Sequence, residues 1–485
     1  MTFARPRHLR APGEDGYLTP TIEDAERAAS LQRSHGTLLS RFDSAREIHS
    51  SNLQSLENPA IRMSGGAGNS NEKGLDGLNH CQEDFHYLSK KELSHTHYTW
   101  KERIRHFTWA FFTLTMATGG IANVLYTFPY RFRGLEIIGE VVFLFNIALY
   151  IIIWSLLLTR FYCYPYTFKA SFLHPTESLF VPASIVSFGT ILINISQYGP
   201  EKTGPWLERV IIVLFWIDAA LAVVLSAAIY LLLWSTQTFT IAQMTPIWIF
   251  PAYPMLIIGP HAGVLSSKLS QPHALRIIIG GTTIQGVGFL VSLMVYSAFI
   301  YRLMTQKLPK ENVRPGMFVS VGPSAFTTTG IVNMAANAHR AFPSDFMGDG
   351  PLAAKVLRVV VDFGALWLWG LAIFFFFIAS FAHWSAIGHG RMVFSMGWYS
   401  FVFPNTALIT STFAIGNAFS CKPILIVGCA MVIPLILMYF FVFYMMIRAI
   451  VLHHILWPQK GEDKDEGGFE INMIKPDSSG EESEV

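Results

Sequence analysis

From Phe107 to about Leu452 the chain repeats one pattern: an apolar run of about twenty residues, then a short polar connection. Runs of that length cross a hydrocarbon layer about 30 Å thick. Over such long apolar stretches only helices satisfy their own backbone groups. The pattern predicts about ten of them, at 107–128, 137–159, 178–197, 207–234, 245–267, 274–304, 315–338, 356–382, 391–418 and 421–452.

Helix breakers are not spread evenly over these runs. The first, within FTWAFFTLTMATGGIANVLYTFPYRFRGLE, places Gly119 and Gly120 near its middle. The third has Pro182 and Gly189; the fifth has Pro246, Pro251, Pro254, Gly259, Pro260 and Gly263. The seventh has Gly322, Pro323 and Gly330, and the ninth Gly397, Pro404 and Gly416. Among the even-numbered runs, the tenth carries Pro434 and the sixth a glycine cluster without proline. Proline removes a donor and bends the helix, which membranes tolerate where the backbone meets protein or a watery cavity. The expected fold class is therefore all-α, a polytopic membrane protein with ten transmembrane helices as five helical hairpins around a central pore. Bent odd helices would line the pore and even ones would surround it. Close helix packing also explains Gly and Pro in membrane helices and stays open as the alternative.

Composition agrees with membrane residence: 14% of residues are charged and mean hydropathy is +0.38. A net charge of +2 gives no basis for binding nucleic acid. The four cysteines, Cys81, Cys163, Cys421 and Cys429, show no metal or redox spacing, and no cofactor is expected. Residues 1–100, rich in Ser, Asn and Gly, read as a disordered tail without a cleaved signal peptide, and 459–485 as a disordered acidic tail. The transport domain then spans 101–458. Lys101, Arg103, Arg105, Arg302, Lys307, Lys310 and Arg314 fall on one side of an even number of spans, which places both termini in the cytoplasm.

Charges inside the runs are few. Asp218 and Asp362 are candidates for a proton relay, or for hydrogen bonds to a neighbouring helix. His261 follows a proline break in the fifth run and suits an anion or proton site, or a packing role. Arg131, Arg276 and Arg391 sit at span ends, where they would draw anions inward or anchor in headgroups. Hydroxyls and amides after the breaks, notably Ser324, Thr328 and Asn405, complete a substrate pathway with Gly119 and Gly120. Phe401 and Phe403 stand just before Pro404 as a candidate gate. Repeated His boxes or facing acid clusters are missing from the pattern, so no catalytic residue is assigned and an enzyme is not expected.

Ordered blocks carry a resemblance. FTWAFFTLTMATGGIANVLYTFPYRFRGLEIIG, HPTESLFVPASIVSFGTILINI, GPWLERVIIVLFWI, MTPIWIFPAYPMLIIGPHAG, RPGMFVSVGPSAF and GWYSFVFPNTAL resemble the tellurite-resistance/dicarboxylate transporter family over residues 100–458. The nearest branch by these blocks is the fungal C4-dicarboxylate (malic acid) transporters. The resemblance implies a plasma-membrane carrier for small organic dianions such as malate and succinate, with electrogenic and proton-linked transport as the two modes. It also implies a homotrimer with one pore per subunit and a ninth-span phenylalanine, Phe403 or Phe401, closing each pore. The stretch GGIANVLYTFPY is similar to the sulfite efflux branch, so sulfite efflux or an anion channel of the same fold is the alternative.

Overall fold

The computed structural model describes residues 99–236, 240–241, 244–384 and 392–457. The two tails lie outside those residues except for Thr99 and Trp100, as does Arg391. Among the described residues the chain is all-helical. Among the described residues, ten helices have 14 residues or more. They are α1 Phe112–Thr127, α2 Leu135–Cys163, α3 Ala183–Tyr198, α4 Pro205–Thr236, α5 Tyr253–Ser266, α6 Gln271–Gln306, α7 Gly322–Ala341, α8 Gly350–Trp384, α9 Phe403–Ala418 and α10 Lys422–Val451. Ahead of them, the short helix Trp100–Arg105 starts from a capping box: Glu102 accepts the Thr99 amide at 2.6 Å and its hydroxyl at 2.8 Å.

Odd and even helices differ as the breaker pattern predicts. The even ones run 29 to 36 residues without interruption. The odd ones are shorter, and each restarts from a separate piece. The 3₁₀ segments Trp109–Phe111, Pro246–Ala252, Glu311–Val321 and Met396–Phe401 precede α1, α5, α7 and α9, and the turn Glu177–Phe180 precedes α3. Pro182, Pro254, Pro323 and Pro404 stand at or next to the restarts, where a missing N–H costs least.

Seven helical stretches among the described residues are long and apolar enough to cross a membrane. The hydropathy reading expected about ten; the three that fall short are α1, α7 and α9. Their faces are covered by protein, so nothing requires them to be long or oily. The same division shows in the seven: 83% of the apolar window is buried in the stretches containing α3 and α5, against 22–33% in the five even helices.

Packing follows a circular order. α1 packs on α3, α3 on α5, α5 on α7, α7 on α9, and α9 returns to α1. Pairs along each seam ascend together. Thr115 and Asn123 of α1 bond Ser187 and Gln197 of α3, and Phe326 and Thr329 of α7 meet Phe403 and Thr410 of α9. The five odd helices are thus parallel. Close approach needs small residues. A Cβ on Gly330 would lie 2.7 Å from the Gly259 backbone, and one on Gly120 would lie 2.6 Å from Thr406 Oγ1.

Each even helix lies between two odd ones and donates one polar aromatic group to the odd helix next in order. Tyr150 of α2 donates to Ser184 O of α3 at 3.3 Å, and Tyr230 of α4 to Trp248 O ahead of α5 at 3.0 Å. Tyr296 of α6 donates to Ser320 O ahead of α7 at 2.6 Å, and Trp369 Nε1 of α8 to Thr412 Oγ1 of α9 at 3.0 Å. Tyr439 of α10 closes the circle, 2.9 Å from Thr118 Oγ1 of α1. Three of these five bonds go to carbonyls at or beside a helix restart.

Tyr296→Phe keeps the ring and removes the hydroxyl over Ser320 O. A buried carbonyl losing its partner costs about 1–3 kcal/mol. The expected outcome is a lower thermal unfolding midpoint in detergent, while Tyr301→Phe, 58% exposed, leaves the midpoint unchanged.

Candidate functional site

Restarting a helix sets where its first side chain points. Tyr253 and Phe403 open α5 and α9, each followed by proline, and Phe326 lies one turn into α7 after Pro323. The three rings converge: Phe326–Phe403 centroids are 5.2 Å apart, Tyr253–Phe326 6.2 Å and Tyr253–Phe403 6.2 Å. Helices α5 and α9 are separated by α7 in the circular order, so the Tyr253–Phe403 contact runs through the interior. Phe250 stacks on Tyr253 at 5.2 Å, and Phe180 meets Phe250 at 5.4 Å. All five rings are buried. The Tyr253 hydroxyl turns aside to Val319 O at 2.5 Å, leaving an apolar plug inside the ring of odd helices.

Beyond the plug, toward the carboxyl ends of the odd helices, the side chains between them become polar. Thr329 and Thr410 hydroxyls face each other at 3.4 Å, and Thr406 lies against Gly120. Gln197 donates to Asn123 Oδ1 at 2.7 Å. Asn194 Nδ2 donates to Gly119 O at 3.1 Å, and a Cβ on Gly119 would lie 2.7 Å from Thr190 Oγ1. Each threonine hydroxyl also donates to a carbonyl of its own helix, at 2.6 Å for Thr406, 3.0 Å for Thr410 and 3.2 Å for Thr329. Rotating one toward a passing anion exchanges one hydrogen bond for another. The lining is neutral and adaptable.

The candidate gate residues separate. Phe403 is 3% exposed inside the plug. Phe401 turns outward to Phe318, His383 and Trp398, and with Asn405 lines a cavity of about 230 Å³ between α8, α9 and α10. Asn405 Nδ2 donates back to Phe401 O at 2.8 Å. Ser324 meets Tyr296 of α6 at 3.4 Å, and Thr328 donates to Ser324 O at 2.9 Å on the same outer-facing side of α7. Gly119 and Gly120 serve close packing of α1 on α3 and α9, the alternative left open by the sequence.

The charged candidates also divide. Arg131 is exposed, donating to Tyr126 O at 2.5 Å with its guanidinium 4.8 Å from the Tyr126 ring centroid. Arg276 is exposed at the start of α6. On the connection after α3, Lys202 bonds Glu140 and lies 3.3 Å from Glu136; the Glu140 hydrogen bond first, then Glu136, hold its ammonium pKa above the ordinary value. Asp362 pairs with Arg358 one turn back at 3.8 Å. Asp218 and His261 share the seam of α3, α4 and α5. Asp218 faces Gly189, and His261 lies 3.3 Å from Ser196 Oγ with its ring against Phe215. Both are fully buried, and Asp218 Oδ2 and His261 Nδ1 have no hydrogen-bond partner among the described residues.

One charged pair escaped the sequence reading. Arg160 near the end of α2 is 1% exposed and pairs with Glu177 at 2.6 Å, while its Nη1 also donates to Phe107 O at 2.9 Å. Ser171 adds a hydroxyl to Glu177 Oε1 at 3.0 Å. The pair joins the chain leading into α1, the end of α2 and the turn carrying Phe180. The available signal was Glu177 inside HPTESLF, an acid at the start of an apolar run.

A ring of broken parallel helices with a neutral, plugged interior, surrounded by long apolar helices, is the architecture of a membrane conduit. The family model described as SLAC1, voltage-dependent anion channel, matches residues 106–447. The chain belongs to that family and is a membrane-embedded anion transporter. It is 31% identical over 383 residues to the malic acid transport protein of Schizosaccharomyces pombe, covering 79% of this chain and 87% of the relative. A putative malic acid transport protein of the same organism is 30% identical, with 75% and 84% covered. The sulfite efflux pump SSU1 of Trichophyton rubrum is 28% identical, with 65% and 84% covered.

Removing one partner of a buried ion pair costs about 3–5 kcal/mol, because the other charge is left uncompensated. Arg160→Met or Glu177→Gln alone is expected to lower the unfolding midpoint sharply, and the double variant to regain part of it. Strictly additive losses in that cycle would mean the two residues act independently.

Proposed function

We propose that the chain carries C4-dicarboxylates such as malate and succinate across the plasma membrane, through the interior of the odd-helix ring. In this reading all ten helices cross as five hairpins, both termini are cytoplasmic, and the protein assembles as a homotrimer with one conduit per subunit. The observation that carries it is the plug: Phe403, Phe326 and Tyr253 meet inside a closed circle of parallel, interrupted helices. Names of relatives supply the substrate class.

The mechanism has three parts. Phe403 closes the path, since an apolar constriction excludes both water and a hydrated anion. Threonine hydroxyls and the Asn123–Gln197 pair replace hydration once the ring has moved. Arg131 and Arg276, exposed at the ends of odd-to-even connections, raise the local anion concentration at that face. Asp218 and His261, outside the ring, are the candidates for proton linkage; Asp362, already paired with Arg358, is the weaker one. Sulfite is the second substrate, favoured by the SSU1 relative.

Proteoliposomes with clamped voltage test this directly. Phe403→Ala is expected to raise labelled malate flux several-fold and Phe403→Leu to raise it less, while Phe401→Ala leaves it near wild type. Flux abolished in a folded Phe403→Ala protein would remove Phe403 as the gate. Sulfite transport with no malate or succinate transport would assign the second substrate.

A further inference from the structure

We propose that the groove between the helix Trp100–Arg105, α1, α2 and α10 binds an anionic phospholipid, with an acyl chain in the groove and the headgroup on the basic rim. The groove has a volume of about 380 Å³ and is walled by apolar side chains, among them Ile104, Phe111, Leu149, Ile152, Met446 and Ile450. Polar groups gather at one edge. Arg103 lines the groove and donates from Nη2 to Ile450 O at 3.4 Å, linking the short helix to α10. Lys101 and Arg105 flank it on the same helix. Glu102 is committed to the Thr99 amide and hydroxyl. Trp100, 62% exposed on the same groove, is the residue type that settles at headgroup depth.

Packing gives a reason for an outside molecule here. α10 closes the helix circle, yet it touches α1 more slightly than any other even helix touches the next odd one. Apolar cavities also flank it elsewhere, about 540 Å³ toward Leu125, Phe128 and Ile433 and about 230 Å³ toward Phe401 and Pro434. Of the three, the groove beside Trp100–Arg105 is the one bounded by a basic helix. A hydrocarbon chain fills the space that protein leaves beside α10, and a negative headgroup meets Arg103 and its exposed neighbour Lys101 where zwitterionic lipid offers no net charge.

The test uses the full chain, delipidated in detergent, and reads its thermal unfolding midpoint with added lipid. Phosphatidylserine is expected to raise the midpoint by several degrees, and phosphatidylcholine with the same acyl chains to raise it far less. Glycerophosphoserine, a headgroup without chains, should leave it unchanged. The serine-lipid gain should disappear in Ile152→Trp, which fills the groove from an exposed position, and in Lys101→Gln/Arg103→Gln. Equal gains from both lipids overturn the headgroup assignment, and a gain that survives Ile152→Trp places the lipid elsewhere. A change of oligomer mass on Ile152→Trp would instead make the groove a contact between copies of this chain, which also overturns the proposal.

Discussion

Interrupting a membrane helix frees backbone groups that hydrocarbon cannot satisfy, at several kcal/mol each, and this molecule interrupts five of them. Part of its answer comes from the unbroken helices: Tyr150, Tyr230 and Tyr296 donate to carbonyls at or beside a restart, while Trp369 and Tyr439 meet threonine hydroxyls. Tyr150, Tyr230, Tyr296, Trp369 and Tyr439 each place a polar tip on the next odd helix while their rings stay in apolar surroundings. Tyrosine and tryptophan suit the task because one end of the side chain is apolar and the other donates. With these bonds in place, the odd helices are free to be short, kinked and rich in Ser, Thr and Gly.

That freedom shapes the interior. A helix that need not face lipid carries Thr329, Thr406 and Thr410 without desolvation cost, because each hydroxyl has a carbonyl of its own turn. Small residues then bring backbones together, as where Gly330 meets Gly259 and Pro260. Shortened distances between odd helices let side chains from α5, α7 and α9 meet across the ring. The Arg160–Glu177 pair sits beside the same layer and fixes the turn from which Phe180 reaches the plug.

Much of this was legible in the sequence. The apolar runs marked the helices, and the alternation of Gly and Pro marked which ones are broken, since prolines act locally wherever the chain goes. Direction was harder. Phe401 and Phe403 are two apart at a restart, and only the local bend decides that one points inward and the other toward α8. Ser324 and Asn405 looked like lining because they follow a break, but helical geometry turns them to Tyr296 and the outer cavity. Gly119 and Gly120 signalled close approach rather than an open wall, and both uses draw on the same missing side chain. Arg160 was hidden because an arginine near the end of a span ordinarily reaches to headgroups; its partner lies on the far side of a connection whose path no local pattern reveals.

The circular order of aromatic donors also bears on how the chain is made. Four acceptor helices follow their donor in the sequence, so the partner has already emerged when the break appears. Thr118 in α1 is the exception, since Tyr439 comes 321 residues later. Until the last helix is inserted, the first lacks that hydroxyl partner, although α9 has already met α1. The last of these bonds therefore joins the first and tenth helices across a very long loop, a step with a large closure entropy. A ribosome stalled before Lys422 would leave the odd-helix ring closed between α9 and α1 but bare of its last outer helix, recognisable to membrane quality control by the uncovered flank of its earliest helix.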